Sequence, residues 1–504
     1  MTESLVRSSR PFGDADCETE IERLRSEYSD YFFSETAFNA PALDPRTYLI
    51  VGRRGSGKTA LSHYFEFQER IENARAIDVD EPEVFERVMA LAGDRSQVSD
   101  ALQVHAVASI WDVVLWSVVF RELADFHPDI ARACWFERDR GPVARFIFGV
   151  LDVVLKRCLN VESKDFATNL KEILQDPVFE AGKKAALEVA RETPVIVAVD
   201  SLEQYEVDNE EMMKATAALV QCASLFNRRH AADGVHIKVF LSGEVYPYLV
   251  ESVITNPLKF AKDPVFLVWR SKDLMRLICW RFYNYLKATD QLLPASQGKI
   301  RWNAHRDVYE KMWVPYFGDK LTNRANLEER TFPFILRHTH LRPRQVIVAC
   351  NHIADRAIRR GTFPRFESED ILAAMQNAET ELANEVINSY SAVYPQAGRI
   401  VDALRGLPSI FEGKRLDRIA PKTASEWPGN YSSASFRTLV SQLGIIGRVE
   451  ATDERDVSAV FEYSVRDRLA LQTDDMCAVH PMFYRRLNVE QEGFIIHPVL
   501  DEDD

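Results

Sequence analysis

The sequence has few of the residues that mark a disulfide scaffold, a zinc site or a membrane protein. Its seven cysteines are scattered without a Cys-x-x-Cys pair, which favours reduced thiols over disulfides or zinc. No stretch reaches the roughly 18 uncharged apolar residues of a transmembrane helix. The polar, acidic N-terminus lacks the apolar segment of a secretory signal. We therefore expect a cytoplasmic protein that does not span a membrane.

Positive charge is also in the minority. Lys and Arg total 62 against 76 Asp and Glu, a formal net charge of -14, whereas a protein that coats nucleic acid is basic. Hydrophobic residues make up 46% and charged residues 27%, a balance typical of folded soluble proteins. At about 150 residues per domain, the 504 residues suggest about three domains. Net charge does not decide whether one face of the protein binds DNA.

A glycine-rich motif lies between a strand-like run, 47–52, and a helical pattern, the context of a phosphate-binding loop. Glycines allow the backbone N–H groups to face phosphate oxygens, and the helix start adds its positive dipole end. We expect Lys58 to reach the β- and γ-phosphates of ATP and Thr59 to ligate Mg²⁺. A loop that binds nucleotide without hydrolysing it is the alternative. The predicted nucleotide-binding residues here are Gly52, Arg53, Arg54, Gly55, Ser56, Gly57, Lys58, Thr59 and Ala60.

An acidic residue ends a second apolar strand pattern, 194–199. Asp200 at that position fits a Mg²⁺-holding residue, direct or through water. Glu203, three residues later, is the predicted general base for an attacking water. The predicted catalytic residues are thus Lys58, Asp200 and Glu203, and Thr59 with Asp200 forms the predicted magnesium site. An ordinary strand end followed by solvent-facing acids is the alternative.

Two more polar positions are predicted to contact the γ-phosphate. Ser242, with Glu244 after it, lies at the end of the strand-like segment KVFLSGE, where a polar side chain can face the nucleotide. Arg344 follows Pro343 at the start of a helical pattern, from which an arginine can reach a nucleotide out of a helical lid. The alternative for Ser242 is a simple transition from strand to loop. The alternative for Arg344 is a basic helix start that faces solvent.

Strand patterns separated by long helical segments predict an α/β fold, with a parallel sheet flanked by helices. A helical lid and a C-terminal winged-helix-like domain complete the predicted architecture. The predicted domains are an N-terminal lead-in at 1–39, the core at 40–290, the lid at 291–385, the winged-helix-like domain at 386–490 and an acidic tail at 491–504.

The winged-helix-like pattern raises the question of DNA. If residues 390–485 bind DNA, Arg437 on the third helix and Arg466 or Arg468 near the wing are the candidate contacts. Packing against protein is the favoured alternative, because many acids surround the predicted wing. These acids are Asp453, Glu454, Asp456, Asp467, Asp474 and Asp475.

Taken in order, these motifs resemble the additional-strand P-loop ATPases, the group that includes AAA+ proteins, STAND signalling ATPases and KAP-type ATPases. The resemblance covers roughly residues 40–360. The spacing of Asp200 and Glu203 is closer to STAND and KAP proteins than to AAA+ enzymes. Two features depart from the group: Ser242 stands where some relatives show an arginine, and the STAND acidic run is reduced to two acids. The segments that carry the resemblance are GRRGSGKTAL, VIVAVDSLEQ, VFLSGEVY, FLVW-x-x-x-DL and LRPRQVIVACN.

The resemblance implies an ATP- and Mg²⁺-binding molecular switch, an ATPase that couples nucleotide state to self-assembly or a protein partner. Bacterial signalling or defence is the implied setting. The alternative is a DNA-binding ATPase resembling origin-recognition proteins. A small-molecule kinase ranks third, because residues 83–190 show no acceptor-site motif.

Overall fold

The computed structural model falls into two compact units. The sheet unit comprises Ala37–Arg54 and Lys58–Leu267, and the C-terminal unit comprises Met1–Thr36, Gly55–Gly57 and Val268–Asp504. These units are coarser than the predicted domains and divide the chain at other positions, so the predicted boundaries stay predictions. The structure describes residues 4–63, 75–79, 84, 88, 100–134, 143–159, 166–200, 209–254, 256–323, 326–427, 431–454, 456–466, 468–490 and 495–498.

The N-terminal segment forms two short helices of the C-terminal unit, α1 (Cys17–Leu24) and α2 (Tyr28–Tyr31). Asp16 caps α1, because its carboxylate accepts the Thr19 N–H at 2.9 Å. Phe12 is fully buried and stacks on Phe282 at a ring distance of 4.6 Å. The predicted lead-in therefore contributes to the core of its unit.

A parallel sheet forms the centre of the sheet unit, as predicted. Within the described residues its order is β2-β3-β4-β1-β5, and every neighbouring pair is parallel. β1, β3 and β4 are buried along their whole length, which explains their near-continuous apolar sequences. The strands are β1 (Leu49–Gly52), β2 (Arg75–Val79), β3 (Val195–Val199), β4 (Val235–Ser242) and β5 (Val265–Phe266).

Helices flank this sheet. The Trp111 indole of α5 (Asp100–Leu123) donates to the Ala215 carbonyl of α10 (Glu210–His230) at 3.0 Å. Trp116 of α5 also packs on Phe226 of α10 at 4.9 Å. The described helices are α3 (Asn39–Leu43), α4 (Lys58–Ser62), α5 (Asp100–Leu123), α6 (Pro128–Ala133), α7 (Val143–Leu159), α8 (Phe166–Leu174), α9 (Pro177–Ala190), α10 (Glu210–His230), α11 (Tyr246–Tyr248) and α12 (Pro257–Phe260).

Residues 268–389 of the C-terminal unit are mainly helical. A short antiparallel hairpin interrupts the helices and was not expected from the sequence. Its strands are β6 (Lys320–Thr322) and β7 (Glu328–Arg330). The helices are α13 (Ser271–Ala288), α14 (His305–Val308), α15 (Val314–Phe317), α16 (Thr331–Leu336), α17 (Pro343–Arg360) and α18 (Ser368–Ser389).

The remaining residues combine short helices with a second sheet, of order β12-β10-β9-β11-β8 in the described part. The hairpin β9–β10 follows the Ser432-capped helix α21. The helices are α19 (Ala397–Asp402), α20 (Lys414–Ile419), α21 (Ser433–Gln442) and α22 (Tyr484–Leu487). The strands are β8 (Ile410–Glu412), β9 (Ile446–Asp453), β10 (Asp456–Val460), β11 (Met476–Val479) and β12 (Ile495–Pro498).

Part of the segment predicted as an acidic tail, 491–504, lies in the described residues, and there β12 pairs in parallel with β10. The terminal acids 501–504 lie outside the described residues. Ile495 and Ile496 are buried, and Ile496 packs with Val457 and Phe461 of the second sheet. Burying each of these two isoleucines is favourable by about 1.5–3 kcal/mol, which favours a paired strand within this acidic sequence.

Candidate functional site

Three strands of the sheet unit end side by side with the residues that the sequence singled out. Gly52 at the end of β1 pairs with Ser242 at the end of β4, and the Gly243 N–H donates to the Gly52 carbonyl at 2.9 Å. Asp200 directly follows β3, the other neighbour of β4. The carboxyl ends of parallel strands share one edge, so this edge collects the glycine-rich loop, Asp200 and Ser242.

The start of α4 joins the same edge. The Lys58 ammonium donates to the Gly52 carbonyl at 3.0 Å, and the Thr59 hydroxyl donates to an Asp200 carboxylate oxygen at 3.2 Å. Lys58 and Asp200 are both buried. The structure therefore brings together Lys58, Thr59 and Asp200, three residues with separate predicted roles.

Glu244 adds a second carboxylate to this cluster. It is 3% exposed, and one of its oxygens accepts the Arg54 backbone N–H at 3.0 Å. The other oxygen accepts the Ser242 hydroxyl at 2.7 Å. The sequence pattern places Glu244 just after Ser242 at the end of this strand and predicts no separate role for it. Its position two residues beyond the end of β4 was visible, but its contact with the loop depends on the register of β1 and β4.

The loop backbone needs its glycines. Gly55 and Gly57 have φ angles of +81° and +97°, which L-amino acids with a side chain rarely adopt. Arg53 is buried and Arg54 is exposed, so these neighbours have different surroundings. Ala60, the last residue predicted for the loop, is half-buried in α4.

Gly55–Gly57 group with the C-terminal unit. The Trp269 indole N–H donates to the Ser56 carbonyl at 2.8 Å, a contact that nothing in the sequence indicated. The Arg344 backbone N–H donates to the Gly55 carbonyl at 3.3 Å. A Cβ atom on Gly55 would lie 3.0 Å from the Cβ of Arg344, so the close approach of these backbones also favours glycine.

The Arg344 side chain has protein partners. Its Nε donates to the Ala15 carbonyl at 3.0 Å, and its Nη1 lies 3.6 Å from Glu385 Oε1. Arg342 occupies the N-cap position of α17 and Pro343 its first turn, so Arg344 lies at the helix start as predicted. Its predicted role as a γ-phosphate sensor stays a prediction. Glu203, the predicted general base, lies outside the described residues.

Two buried polar side chains of the sheet unit hold backbone groups of β4 and of the segment that enters β1. The Lys238 ammonium on β4 donates to the carbonyls of Asp44 and Thr47 at 2.6 and 2.7 Å. Burial lowers the pKa of Lys238 to about 7. The Asn227 amide on α10 donates to the Ile237 carbonyl at 2.9 Å and accepts the Ile237 N–H at 2.8 Å.

The candidate DNA contacts differ in exposure. Arg437 on α21 forms an ion pair with Asp417 and donates to the Thr473 hydroxyl at 3.2 Å. Arg466 and Arg468 are exposed. The third-helix arginine is therefore engaged within its own module and less exposed than the two arginines after β10.

No group of three or more His, Cys, Asp or Glu side chains in the described part of the chain is arranged to hold a metal ion. None of the described helices combines the length and the apolar character that crossing a bilayer requires.

Comparison with known proteins identifies one segment of the C-terminal unit. No curated protein matches the chain. Residues 307–386 match the family model of a FunZ-associated C-terminal helical domain. The matched segment spans α15 to most of α18 and includes the β6–β7 hairpin, Arg344 and Glu385, while the loop at 52–59 lies outside it. The chain is thus a mixed α/β protein with a parallel sheet flanked by helices and a helical domain similar to this family.

Proposed function

We propose that this chain is an ATP- and Mg²⁺-binding ATPase of the additional-strand P-loop group. In this proposal it acts as a molecular switch that couples nucleotide state to self-assembly or to a protein partner. The observation that carries the proposal is the strand order of the sheet. β4 lies between β1, which leads into the glycine-rich loop, and β3, which ends at Asp200. An inserted strand between these two is the arrangement after which the group is named.

The side chains at the sheet edge fit a nucleotide and Mg²⁺. Two glycines with positive φ let the loop backbone curve, and α4 begins at Lys58 with its positive dipole end. A hydroxyl and a carboxylate, Thr59 and Asp200, lie 3.2 Å apart, and oxygen ligands are those that Mg²⁺ prefers in proteins. Mg²⁺, when bound, neutralises charge on the phosphate oxygens during phosphoryl transfer.

The roles of the chain's own groups follow from this arrangement. The Lys58 ammonium, now on the Gly52 carbonyl, is a buried cation that can pair with phosphate oxygens. The Asp200 carboxylate accepts the hydrogen bond from the Thr59 hydroxyl and so holds this side chain in place. Glu203 remains the proposed base for water, by its spacing from Asp200 alone.

The matched helical segment is the proposed relay of the switch. Arg344 lies in it at the start of α17, and its backbone N–H donates to the Gly55 carbonyl at 3.3 Å. A rearrangement of the loop on nucleotide binding can alter this hydrogen bond, and that differential contact gives the two states different energies. Bacterial signalling or defence remains the setting that the sequence resemblance suggests.

Direct DNA recognition by residues 390–485 is the weaker alternative. The third-helix arginine Arg437 pairs with Asp417, and a phosphate or base contact has to compete with that ion pair. The net charge of -14 also opposes long-range attraction to DNA.

The test of the proposed function is the ATP affinity of the Lys58→Ala variant, measured by calorimetry in the presence of Mg²⁺. Loss of one charge-assisted hydrogen bond, about 1.5–3 kcal/mol, predicts affinity weakened by about tenfold to a hundredfold. Lys184→Ala is the matched control, because Lys184 is an exposed lysine of α9. Equal ATP affinity of Lys58→Ala and wild type contradicts the proposal, as does a wild-type protein that binds no ATP.

A further inference from the structure

The groups that a nucleotide would use at the sheet edge are bonded to the protein itself. Lys58 donates to the Gly52 carbonyl, Thr59 to Asp200, and the Arg54 N–H to Glu244. In the first two pairs the partners are expected at such a site. In the third pair a buried carboxylate holds a backbone N–H of the phosphate-binding loop, the type of donor that binds phosphate.

The position of Lys58 indicates which end of a nucleotide lies near Glu244. A lysine of this motif reaches the β- and γ-phosphates. Its ammonium lies on the Gly52 carbonyl, at the first residue of the loop. Gly52 pairs with Ser242, and the Ser242 hydroxyl donates to Glu244 at 2.7 Å. Glu244 therefore lies at the side of the loop where the terminal phosphate of ATP is expected.

We propose that Glu244 is the residue by which the loop discriminates ATP from ADP. Without nucleotide, its carboxylate bonds the Arg54 N–H and the Ser242 hydroxyl. The γ-phosphate of ATP displaces the carboxylate and takes over these two donors, whereas ADP leaves the carboxylate in place. The inference rests on the proposed function, since it needs ATP to bind at this loop.

Charge gives the displacement its energetic basis. Glu244 and a γ-phosphate are both anionic, and like charges in a buried site repel more strongly than in water. Two hydrogen-bond donors cannot serve both anions at once. Wild-type ATP affinity therefore carries the cost of moving Glu244, and ADP affinity does not. Ser242 acquires a defined role, because its hydroxyl is bonded to Glu244 in one state and released to the γ-phosphate in the other.

The experiment compares wild type with Glu244→Gln by calorimetry, using Mg²⁺ with either ADP or a non-hydrolysable ATP analogue. Glutamine keeps the size and an acceptor oxygen but removes the charge. We expect ATP-analogue affinity to rise at least about fivefold and ADP affinity to change less than about twofold, well under 1.4 kcal/mol. An unchanged ratio of the two affinities, or weaker binding of the ATP analogue, overturns the inference.

Two variants complete the design. Glu192→Gln is the matched control, because Glu192 is an exposed acid in the turn before β3, at the opposite end of that strand from Asp200. Glu244→Asp keeps the charge and shortens its reach by one methylene. We expect an affinity ratio between those of wild type and Glu244→Gln. If thermal melting shows that Glu244→Gln does not fold, the ratio of Glu244→Asp decides, and a wild-type ratio there rejects the inference.

The same measurements separate this inference from the proposed function. If wild type binds neither nucleotide, or binds both independently of Lys58, the proposed function fails. If wild type binds ATP and Lys58→Ala does not, yet the ratio is the same in Glu244→Gln, only the role of Glu244 fails.

Discussion

At the scale of single residues, burial determines the charge of His338 in the C-terminal unit. Its Nδ1 lies 2.7 Å from the Phe334 carbonyl, a geometry in which Nδ1 carries the proton and donates. Nε2 lies 3.6 Å from Glu379 Oε1. Burial, and next the positive charge of Arg337, lower the pKa of His338 to about 3. The side chain is therefore neutral at neutral pH.

This histidine predicts loss of stability in acid. Its pKa is lower in the folded than in the unfolded protein, so the unfolded chain gains a proton as pH falls through about 6.5 and the folded chain does not. The stability it lends is thus lost progressively between pH 6.5 and about 3. His338→Gln should reduce the pH dependence of the unfolding free energy below pH 6.5 by about 1 kcal/mol per pH unit.

Urea unfolding at several pH values between 4.5 and 7 measures this effect. His352→Gln is the control, because the His352 imidazole is only half-buried and lies 2.8 Å from the exposed carboxylate of Glu381. Parallel pH curves for wild type and His338→Gln would show that the buried imidazole does not govern acid stability.

At the scale of elements, the attachment of α1 to α13 depends on one buried ion pair. Glu20 Oε2 accepts from Arg281 Nη2 at 2.9 Å, and Glu20 Oε1 from Arg281 Nη1 at 3.2 Å. Both side chains are less than a tenth exposed. Removing one partner of such a pair leaves the other charge buried without compensation.

We expect Glu20→Ala to lower the unfolding free energy of the C-terminal unit by about 3–5 kcal/mol. Chemical denaturation followed by tryptophan fluorescence measures the change. Glu22→Ala, an exposed acid of the same helix, should cost less than about 0.5 kcal/mol. Equal effects of the two variants would mean that α1 is not held by its buried carboxylate.

The strands of the sheet unit were predictable from the sequence, but their neighbours were not. Each buried strand is a short apolar run between breaks, and the ends of the observed β1, β3 and β4 lie within two residues of the ends of the predicted runs. Strand order depends on long crossovers between parallel strands, which local sequence does not encode.

The candidate site was likewise predictable from the sequence only in part. Lys58, Thr59 and Asp200 were predictable, because a motif with fixed spacing and a strand end bring defined atoms to one edge. The contact of Glu244 with Arg54 follows from the pairing of Gly52 with Ser242, and the Trp269 contact from backbone approach. Such contacts depend on register and tertiary packing, which residue patterns leave undetermined.

At the scale of the whole molecule, each compact unit has a buried interior of its own. In the C-terminal unit, residues from α18 to α22 form one apolar cluster that includes Val386, Phe436 and Val479. In the sheet unit, α5 and α10 contact each other and the sheet. Multidomain chains commonly depart from a single two-state transition.

We therefore expect urea unfolding to show more than one transition. Glu20→Ala should lower the midpoint of one transition and Asn227→Ala that of another. Asn227→Ala should cost about 1–3 kcal/mol of unfolding free energy, because it leaves both polar groups of Ile237 without their amide partner. Circular dichroism and tryptophan fluorescence followed together test this. One coincident transition that both variants shift equally would contradict it.

The strand order has a consequence for synthesis of the chain on the ribosome. β1 pairs with β4 and β5, and its partner for Leu49 is Val239. At about 5–20 residues per second, β1 emerges roughly ten to forty seconds before that partner is made. The glycine-rich motif is thus translated long before the sheet that holds it can close, and the apolar Leu49–Gly52 run is exposed to chaperones throughout that interval.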